Sequence, residues 1–319
     1  MRRGSQTLLL VVAFTIACEA SDESAARTIA LADSSRLAVP GGSLWYRVTG
    51  AGTGVPVVLL HGGPGFSSFY LKPLEALGDD RPVIRYDQLG SGKSDATTDT
   101  TLFTVSHFVD QLDALREHVG LDRFHVYGHS WGTMLAVEYY RAHRERVVSL
   151  TLGSAALDSR AWEQYARKLL ATLPDSMIRA VEVREAEQNY EAADYQAAMN
   201  EFYNRYVWRH PVTADLDSLM DTYNSAIYQY MWGPSEFTVT GTLRNFDARP
   251  FLPSIDVPVL YTVGEFDEAS PETIEAFASM TPGARVVVIP GAAHMTAWDN
   301  PEADIAAVRS FLREVDARR

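Results

Sequence analysis

From residue 44 onward, short apolar runs alternate with longer stretches whose apolar positions recur every three or four residues. LWYRV (44–48), PVVLLHG (56–62), PVIRYD (82–87), FHVYG (124–128) and VVSLTL (147–152) are rich in Val, Ile, Leu or aromatics and are closed by Gly, Asp or Ser. They predict strands, and the intervening patterns at 104–119 and 131–144 predict helices. Alternation of this kind implies a largely parallel sheet covered on both faces. After Ser154 the texture changes: from about 159 to 246 there is almost no strand-like run, and EYYRAHRER before it and NYEAADYQAAMNEFYNRYVWR within it read as helices. Strand patterns resume at PVLYTVG (258–264) and ARVVVIPG (284–291), with helices near 271–280 and 301–315. The pattern is that of one α/β core (37–158 and 248–319) interrupted by a helical cap (159–247). We expect the cap after the sixth strand, although only five runs stand out ahead of it.

The first residues read differently. Arg2 and Arg3 precede an apolar stretch, TLLLVVAFTIA (7–17), with the length of a signal-peptide core and too short to span a bilayer comfortably. Residues 1–17 are therefore expected to be a signal peptide. Cys18 is the only cysteine, and TIAC resembles a lipobox with Thr15 where a leucine-like residue is usual. That predicts lipidation at Cys18, with cleavage after Ala17 or Ala20 by an ordinary signal peptidase as the alternative. Export to the periplasm or cell surface is expected either way, and a chain with one cysteine forms no internal disulfide. Residues 18–36 are small and polar, and read as a tether. The 319 residues are 46% hydrophobic with a formal charge of −13. Nothing in that balance points to nucleic acid.

GHSWG (128–132) stands between a predicted strand and a predicted helix, the setting of a nucleophile elbow. There Ser130 sits on a strained turn, with Gly128 and Gly132 keeping side chains away. HGGPG (61–65) also follows a strand and can leave a backbone N–H unobstructed. Gly63 is the preferred oxyanion donor, though sequence does not separate it from Gly62. Trp131, following the nucleophile, is the second donor. A serine needs a base and the base an orienting acid. Of the histidines at 61, 107, 118, 125, 129, 143, 210 and 294, only His294 follows the last strand, in the small-residue loop GAAHMTAW. GEFDEAS (264–270) offers Asp267 as the acid, with Glu265 and Glu268 as rivals whose extra methylene makes the geometry harder. GSGKS (91–94 and the glycine before it) lacks the glycine a phosphate-binding loop needs, because Asp87 stands there, so it reads as a rigid turn beside the site. No metal-ligand pattern or cofactor motif is present.

Together HGGPG, YDQLGSGKS, GHSWGT, GEFDEASP and HMTAWDNP resemble blocks of the prolyl aminopeptidase (proline iminopeptidase) family of serine peptidases, within the α/β-hydrolase fold. The likeness covers roughly residues 40–315 and is nearest to the branch of tricorn-interacting aminopeptidases. It departs at Thr133, where a further glycine is frequent. The threonine narrows the space behind the serine without touching the chemistry. The resemblance supports Asp267 as the acid. It also implies that Glu268 and, in the segment WGPSEF of the cap, Glu236 bind the free amine of a peptide. Two carboxylates in a shielded pocket favour an ammonium and penalise a blocked one. The cap aromatics Tyr203, Tyr206, Trp208, Tyr223, Tyr228, Tyr230 and Trp232 could line an apolar pocket or form the cap's own core. The expectation is a serine aminopeptidase that releases proline or another apolar residue from short peptides with a free N-terminus. A carboxylesterase or amidase on the same scaffold is the alternative. A dehalogenase or epoxide hydrolase is disfavoured, since those usually have aspartate where Ser130 stands. A binding protein is disfavoured by the complete triad.

Overall fold

The computed structural model describes residues 32–210 and 222–319. The predicted signal peptide, Cys18 and the first part of the predicted tether lie outside the described residues. Eight strands form one sheet: β1 (Ala32–Val39), β2 (Gly42–Thr49), β3 (Val57–Leu60), β4 (Val83–Asp87), β5 (Phe124–His129), β6 (Val147–Gly153), β7 (Val259–Gly264) and β8 (Arg285–Ile289). Their order is β1-β2-β4-β3-β5-β6-β7-β8. β2 runs antiparallel to both β1 and β4, and every other pairing is parallel. β3 to β7 are buried at every position, as expected of strands covered on both faces.

The tether reading fails at its C-terminal end. Residues 32–36, assigned to a tether, belong to β1, which pairs with β2 as an edge strand. Its hydrophobic alternation is confined to Leu37 and Val39, and its outer side faces solvent, so small polar residues serve as well as apolar ones. This strand is the sixth ahead of the cap.

Helices α1 (Val105–Val119) and α2 (Trp131–Ala142) form where the periodicity predicts. α1 starts on a Thr104 cap, whose hydroxyl accepts from the His107 N–H, and ends on left-handed Gly120. The 144–146 end of the EYYRAHRER segment is a short 3-10 turn instead of a continuation of α2. The cap carries α3 (Ser159–Leu170), α4 (Asp175–Ala186), α5 (Ala193–Tyr206) and α6 (Ser225–Met231). Chain leaves and re-enters the core side by side: Asp158 and Asp247 form an isolated bridge, and the Ser159 N–H donates to the Phe246 carbonyl. α7 (Pro271–Met280), α8 (Thr296–Asp299) and α9 (Pro301–Ala317) complete the core. Because β3, β5, β7 and β8 are parallel, the loops that follow them emerge at one edge of the sheet. That edge carries Gly63, Ser130, Asp267 and His294.

Candidate active site

Ser130 is the single residue between β5 and α2, at φ 55° and ψ −124°. A residue with a side chain rarely adopts this backbone, and the strain is what an elbow stores. Gly132 makes it feasible: a Cβ there would lie 2.3 Å from the Leu60 carbonyl oxygen. The Ser130 N–H donates to the Gly153 carbonyl at 2.9 Å. Thr133 does more than fill space. Its hydroxyl donates to the Ser130 carbonyl at 2.6 Å and accepts the Ala156 N–H at 3.0 Å, pinning the turn to the chain after β6. The N–H of Trp131, first residue of α2, has no intrahelical acceptor. Its indole points into the core and donates to Gln88 Oε1 at 2.9 Å.

Asp267 and His294 meet behind the serine. His294 Nδ1 is 2.9 Å from Asp267 Oδ1, which also accepts the Ala269 N–H at 2.8 Å. Asp267 Oδ2 accepts the Ser154 hydroxyl at 2.6 Å and the Gly264 N–H at 3.2 Å. Burial alone would raise the Asp267 pKa. The His294 charge and hydrogen bond, with the Ser154 and Ala269 donors, outweigh it and hold the carboxyl below its usual range. Asp267 is thus an acceptor for the Nδ1–H of His294, leaving Nε2 for the nucleophile. Of its sequence rivals, Glu265 accepts the Gly291 N–H on the surface. Glu268 faces the cavity.

The turn at 61–65 is held from beneath. His61 is fully buried, and burial lowers its pKa, with Asp87 opposing. Its Nε2 accepts the Gln88 N–H at 3.0 Å, so the same glutamine ties this turn to Trp131. Both glycines of the turn line the cavity, and they differ in that the Gly62 N–H is already engaged, donating to the Tyr70 hydroxyl at 2.6 Å. Asp87 accepts the Ser68 and Lys93 N–H groups at 2.6 and 2.8 Å, which makes the GSGKS segment a rigid turn.

Ser130 and His294 open on a cavity of about 250 Å³ roofed by the cap. Glu236 and Glu268 both line it. Glu268 is 1% exposed and its Oε2 has no hydrogen-bond partner among the described residues. Burial first, then the neighbouring Glu236 and Asp267, push its pKa well above the ordinary range. Burial raises Glu236 too, opposed by the Tyr228 hydroxyl that donates to its Oε1, by His294 and by Trp162. No lysine or arginine stands among the described lining residues. Two carboxyls facing one cavity with no lysine or arginine among its described lining residues are both shifted toward the protonated form. Tyr203, Trp208, Tyr223 and Tyr228 line this space, as do Tyr190 and Tyr195, which sequence did not single out. Tyr206, Tyr230 and Trp232 do not: Trp232 packs on Trp162 and Tyr230 on Phe103.

Sequence reasoning also missed Ser154, Tyr70 and Asp299. Asp299 accepts the Ala293 N–H at 2.8 Å and the cap N–H groups of Arg209 and His210 at 2.9 and 3.2 Å. The only signal for Ser154 is its place after β6, where it takes a left-handed φ of 49°. Among the described residues, no group of three or more His, Cys, Asp or Glu side chains could hold a metal ion.

An elbow serine, a buried acid and histidine, and parallel strands that present them at one edge define an α/β hydrolase. Residues 55–301 match the family model described as the alpha/beta hydrolase fold. Within it the chain belongs to the proline iminopeptidases. It is 42% identical over 266 residues to the proline iminopeptidase of Heyndrickxia coagulans, covering 83% of this chain and 92% of that one. It is 31% identical to the proline iminopeptidase of Saccharolobus solfataricus over 85% of this chain and 88% of the relative. The crystal structure of a proline iminopeptidase from Mycobacterium smegmatis superposes with a TM-score of 0.81 at 35% identity, covering 89% of this chain and 99% of that one.

Proposed function

We propose that the protein is a serine aminopeptidase that releases proline or another apolar residue from the free N-terminus of short peptides. The observation that carries this reading is the pair of carboxyls, Glu236 and Glu268, in a cavity shared with Ser130 and His294 that has no lysine or arginine among its described lining residues. Only a ligand that brings its own positive charge satisfies both, and an N-terminal ammonium does so beside the first peptide bond. Ser130 Oγ attacks that carbonyl while its proton passes to His294 Nε2, and Asp267 stabilises the imidazolium that forms. The N–H groups of Gly63 and Trp131 receive the oxyanion; losing one such donor costs about 100- to 1000-fold in rate. His294 gives the proton to the leaving amine as the C–N bond breaks, leaving an ester on Ser130. Water, deprotonated by the same histidine, cleaves the ester and frees the amino acid.

Hydrolysis of proline p-nitroanilide, its N-acetylated form and p-nitrophenyl acetate tests the reading, with Ser130→Ala as the blank. The expected result is cleavage of the free-amine anilide and negligible cleavage of the acetylated one. Ester cleavage with indifference to the amine would make the protein an esterase.

We further propose that residues 1–17 direct export and that Cys18, lipidated, anchors the mature chain at the membrane, leaving the site in the periplasm or at the cell surface. What supports this is the charged start, apolar run and TIAC sequence. Mass spectrometry of the mature N-terminus should find a diacylglyceryl group on Cys18; an unmodified chain starting after Ala20 would contradict the anchor.

A further inference from the structure

Beneath Ser130 runs a chain of hydrogen bonds that none of the steps above uses. The Gly62 N–H donates to the Tyr70 hydroxyl at 2.6 Å, that hydroxyl lies 2.9 Å from His129 Nδ1, and His129 Nε2 lies 2.8 Å from the His294 carbonyl oxygen. Tyr70 and His129 are each 3% exposed, and both border the cavity.

Only one arrangement of protons satisfies every link. A carbonyl oxygen can only accept, so His129 Nε2 carries the hydrogen. Burial, then the neighbouring His294, push the His129 pKa down to about 3, so the ring is neutral and Nδ1 is bare. Nδ1 therefore accepts the Tyr70 O–H. The Tyr70 oxygen in turn accepts the Gly62 N–H. Each donor meets one acceptor, and neither side chain has a proton to spare for the reaction.

The position of this chain gives it a use. The turn of Gly62 and Gly63 follows β3, and His294 follows β8, with β5, β6 and β7 between those strands. No strand pairing ties the two loops to each other. Both must nevertheless be placed about the same carbonyl carbon, one donating to its oxygen and the other serving the nucleophile. The chain joins their backbones directly. It passes so close under the serine that a Cβ on Gly62 would lie 2.9 Å from Ser130 Cβ and 3.0 Å from the Tyr70 oxygen. The Ser154 hydroxyl also lies 3.0 Å from the same His294 carbonyl, but its one hydrogen is shared with the shorter bond to Asp267, so the Tyr70–His129 chain is the main link.

We propose that Tyr70 and His129 are positioning residues of the serine reaction, whose hydrogen-bonded chain fixes the Gly62–Gly63 turn relative to the His294 backbone and thereby sets the geometry of the transition state. This rests on the reading of His294 as base and Gly63 as oxyanion donor. A misplacement on the order of 1 Å at such a site costs about 100-fold in rate. The chain does not contact the amine pair, so its loss should spare substrate binding.

Steady-state kinetics on proline p-nitroanilide with Tyr70→Phe, His129→Leu and His129→Gln test the proposal, alongside thermal melts. Tyr70→Phe and His129→Leu should lower kcat about 10- to 100-fold with KM within about threefold, the signature of an interaction needed only in the transition state. His129→Gln, which keeps one acceptor and one donor, should recover part of that loss. The Tyr70→Phe/His129→Leu double variant should be no worse than His129→Leu alone, because one broken chain cannot break twice. Wild-type kcat in folded single variants, a change in KM alone, or simple additivity would overturn it. His294→Ala, measured in parallel, separates the two claims. Activity surviving there would remove the base assignment itself, whereas a dead His294→Ala beside an unimpaired Tyr70→Phe would remove only the positioning role. Should the variants not fold, nitrogen NMR of the wild type decides: a neutral Nε2–H ring at His129 is required, and a charged or Nδ1–H ring would overturn the assignment.

Discussion

Under the proposed function, Glu268 is the residue on which substrate choice turns. Its Oε2, without a partner among the described residues, and its raised pKa both accompany burial beside Glu236 and Asp267, with no lysine or arginine among the described lining residues. The raised pKa favours the protonated form in the empty site, whereas an ammonium bound as proposed would favour the ionised one, so binding would be linked to pH. Because the pKa is raised, the pair is more protonated than exposed glutamates would be. The ammonium is held less well as pH falls, until the amine itself loses its charge at the alkaline end. KM for proline p-nitroanilide should accordingly fall as pH rises above the ordinary glutamate range. In Glu268→Gln, KM should be about 10- to 100-fold higher, the worth of a hydrogen bond to a charged group, and much flatter with pH. An unchanged KM and slope in that variant would make Glu268 a bystander. His129 illustrates the opposite fate of a buried titratable group: with its pKa near 3, it contributes no charge in the range where the enzyme is assayed.

Among the elements, the segment after α5 organises more than its sequence suggests. The Tyr206 carbonyl accepts the N–H groups of Glu268 at 3.3 Å and His294 at 3.1 Å, and the Met295 N–H donates to the Val207 carbonyl at 2.9 Å. One stretch of cap backbone thus holds both the Glu268 loop and the His294 loop, and Asp299 locks it from the core side. Asp299→Ala leaves three backbone N–H groups without their acceptor, at about 1–3 kcal/mol for each that stays dry. We expect a clear loss of melting temperature together with a loss of kcat, and partial recovery in Asp299→Asn. A variant that melts lower with unaltered kcat would show that the cap tie is structural only. Such links also mark where sequence reading stops. Strands β2 to β8, the elbow and the position of His294 were legible because each has a local signature: an apolar run, a glycine pattern, a place in chain order. Chain order pointed to the 264–270 loop for the acid, but choosing Asp267 over Glu265 and Glu268 leaned on side-chain length and the family resemblance. The two glutamates needed a family resemblance, since a glutamate in a loop has no signature of its own. Tyr70, Ser154 and Asp299 were invisible because their partners lie far away in sequence and include backbone atoms. β1 was missed because a solvent-facing edge strand need not be apolar.

In the molecule as a whole, the parallel sheet collects the reacting groups along one edge and the cap closes over them. The opposite requirement, global stability, meets a second buried acid outside the site. Asp304, in the first turn of α9, has no exposed surface, and burial pushes its pKa up to about 7, with the Thr296 hydroxyl opposing. The folded chain therefore binds more protons than the unfolded one between the ordinary value of 3.8 and about 7. Stability from this group is intact below that interval and falls as pH rises through it, by up to roughly 4 kcal/mol at 1.36 kcal/mol per pH unit. Asp304→Asn should raise the melting temperature at pH 8 and change it little at pH 4. The reverse pattern would mean that Asp304 is ionised in the fold. The central claim is that Ser130 acts only on a carbonyl presented by a free N-terminal amine held by Glu236 and Glu268. Its most direct test is intact and peptide mass spectrometry after treatment with a proline-derived diphenyl phosphonate, in free-amine and N-acetylated forms. One adduct, on Ser130, is expected from the free-amine reagent, with labelling strongly slowed by acetylation and by Glu268→Gln. Equal labelling by both reagents, or an adduct on any other residue, would contradict it.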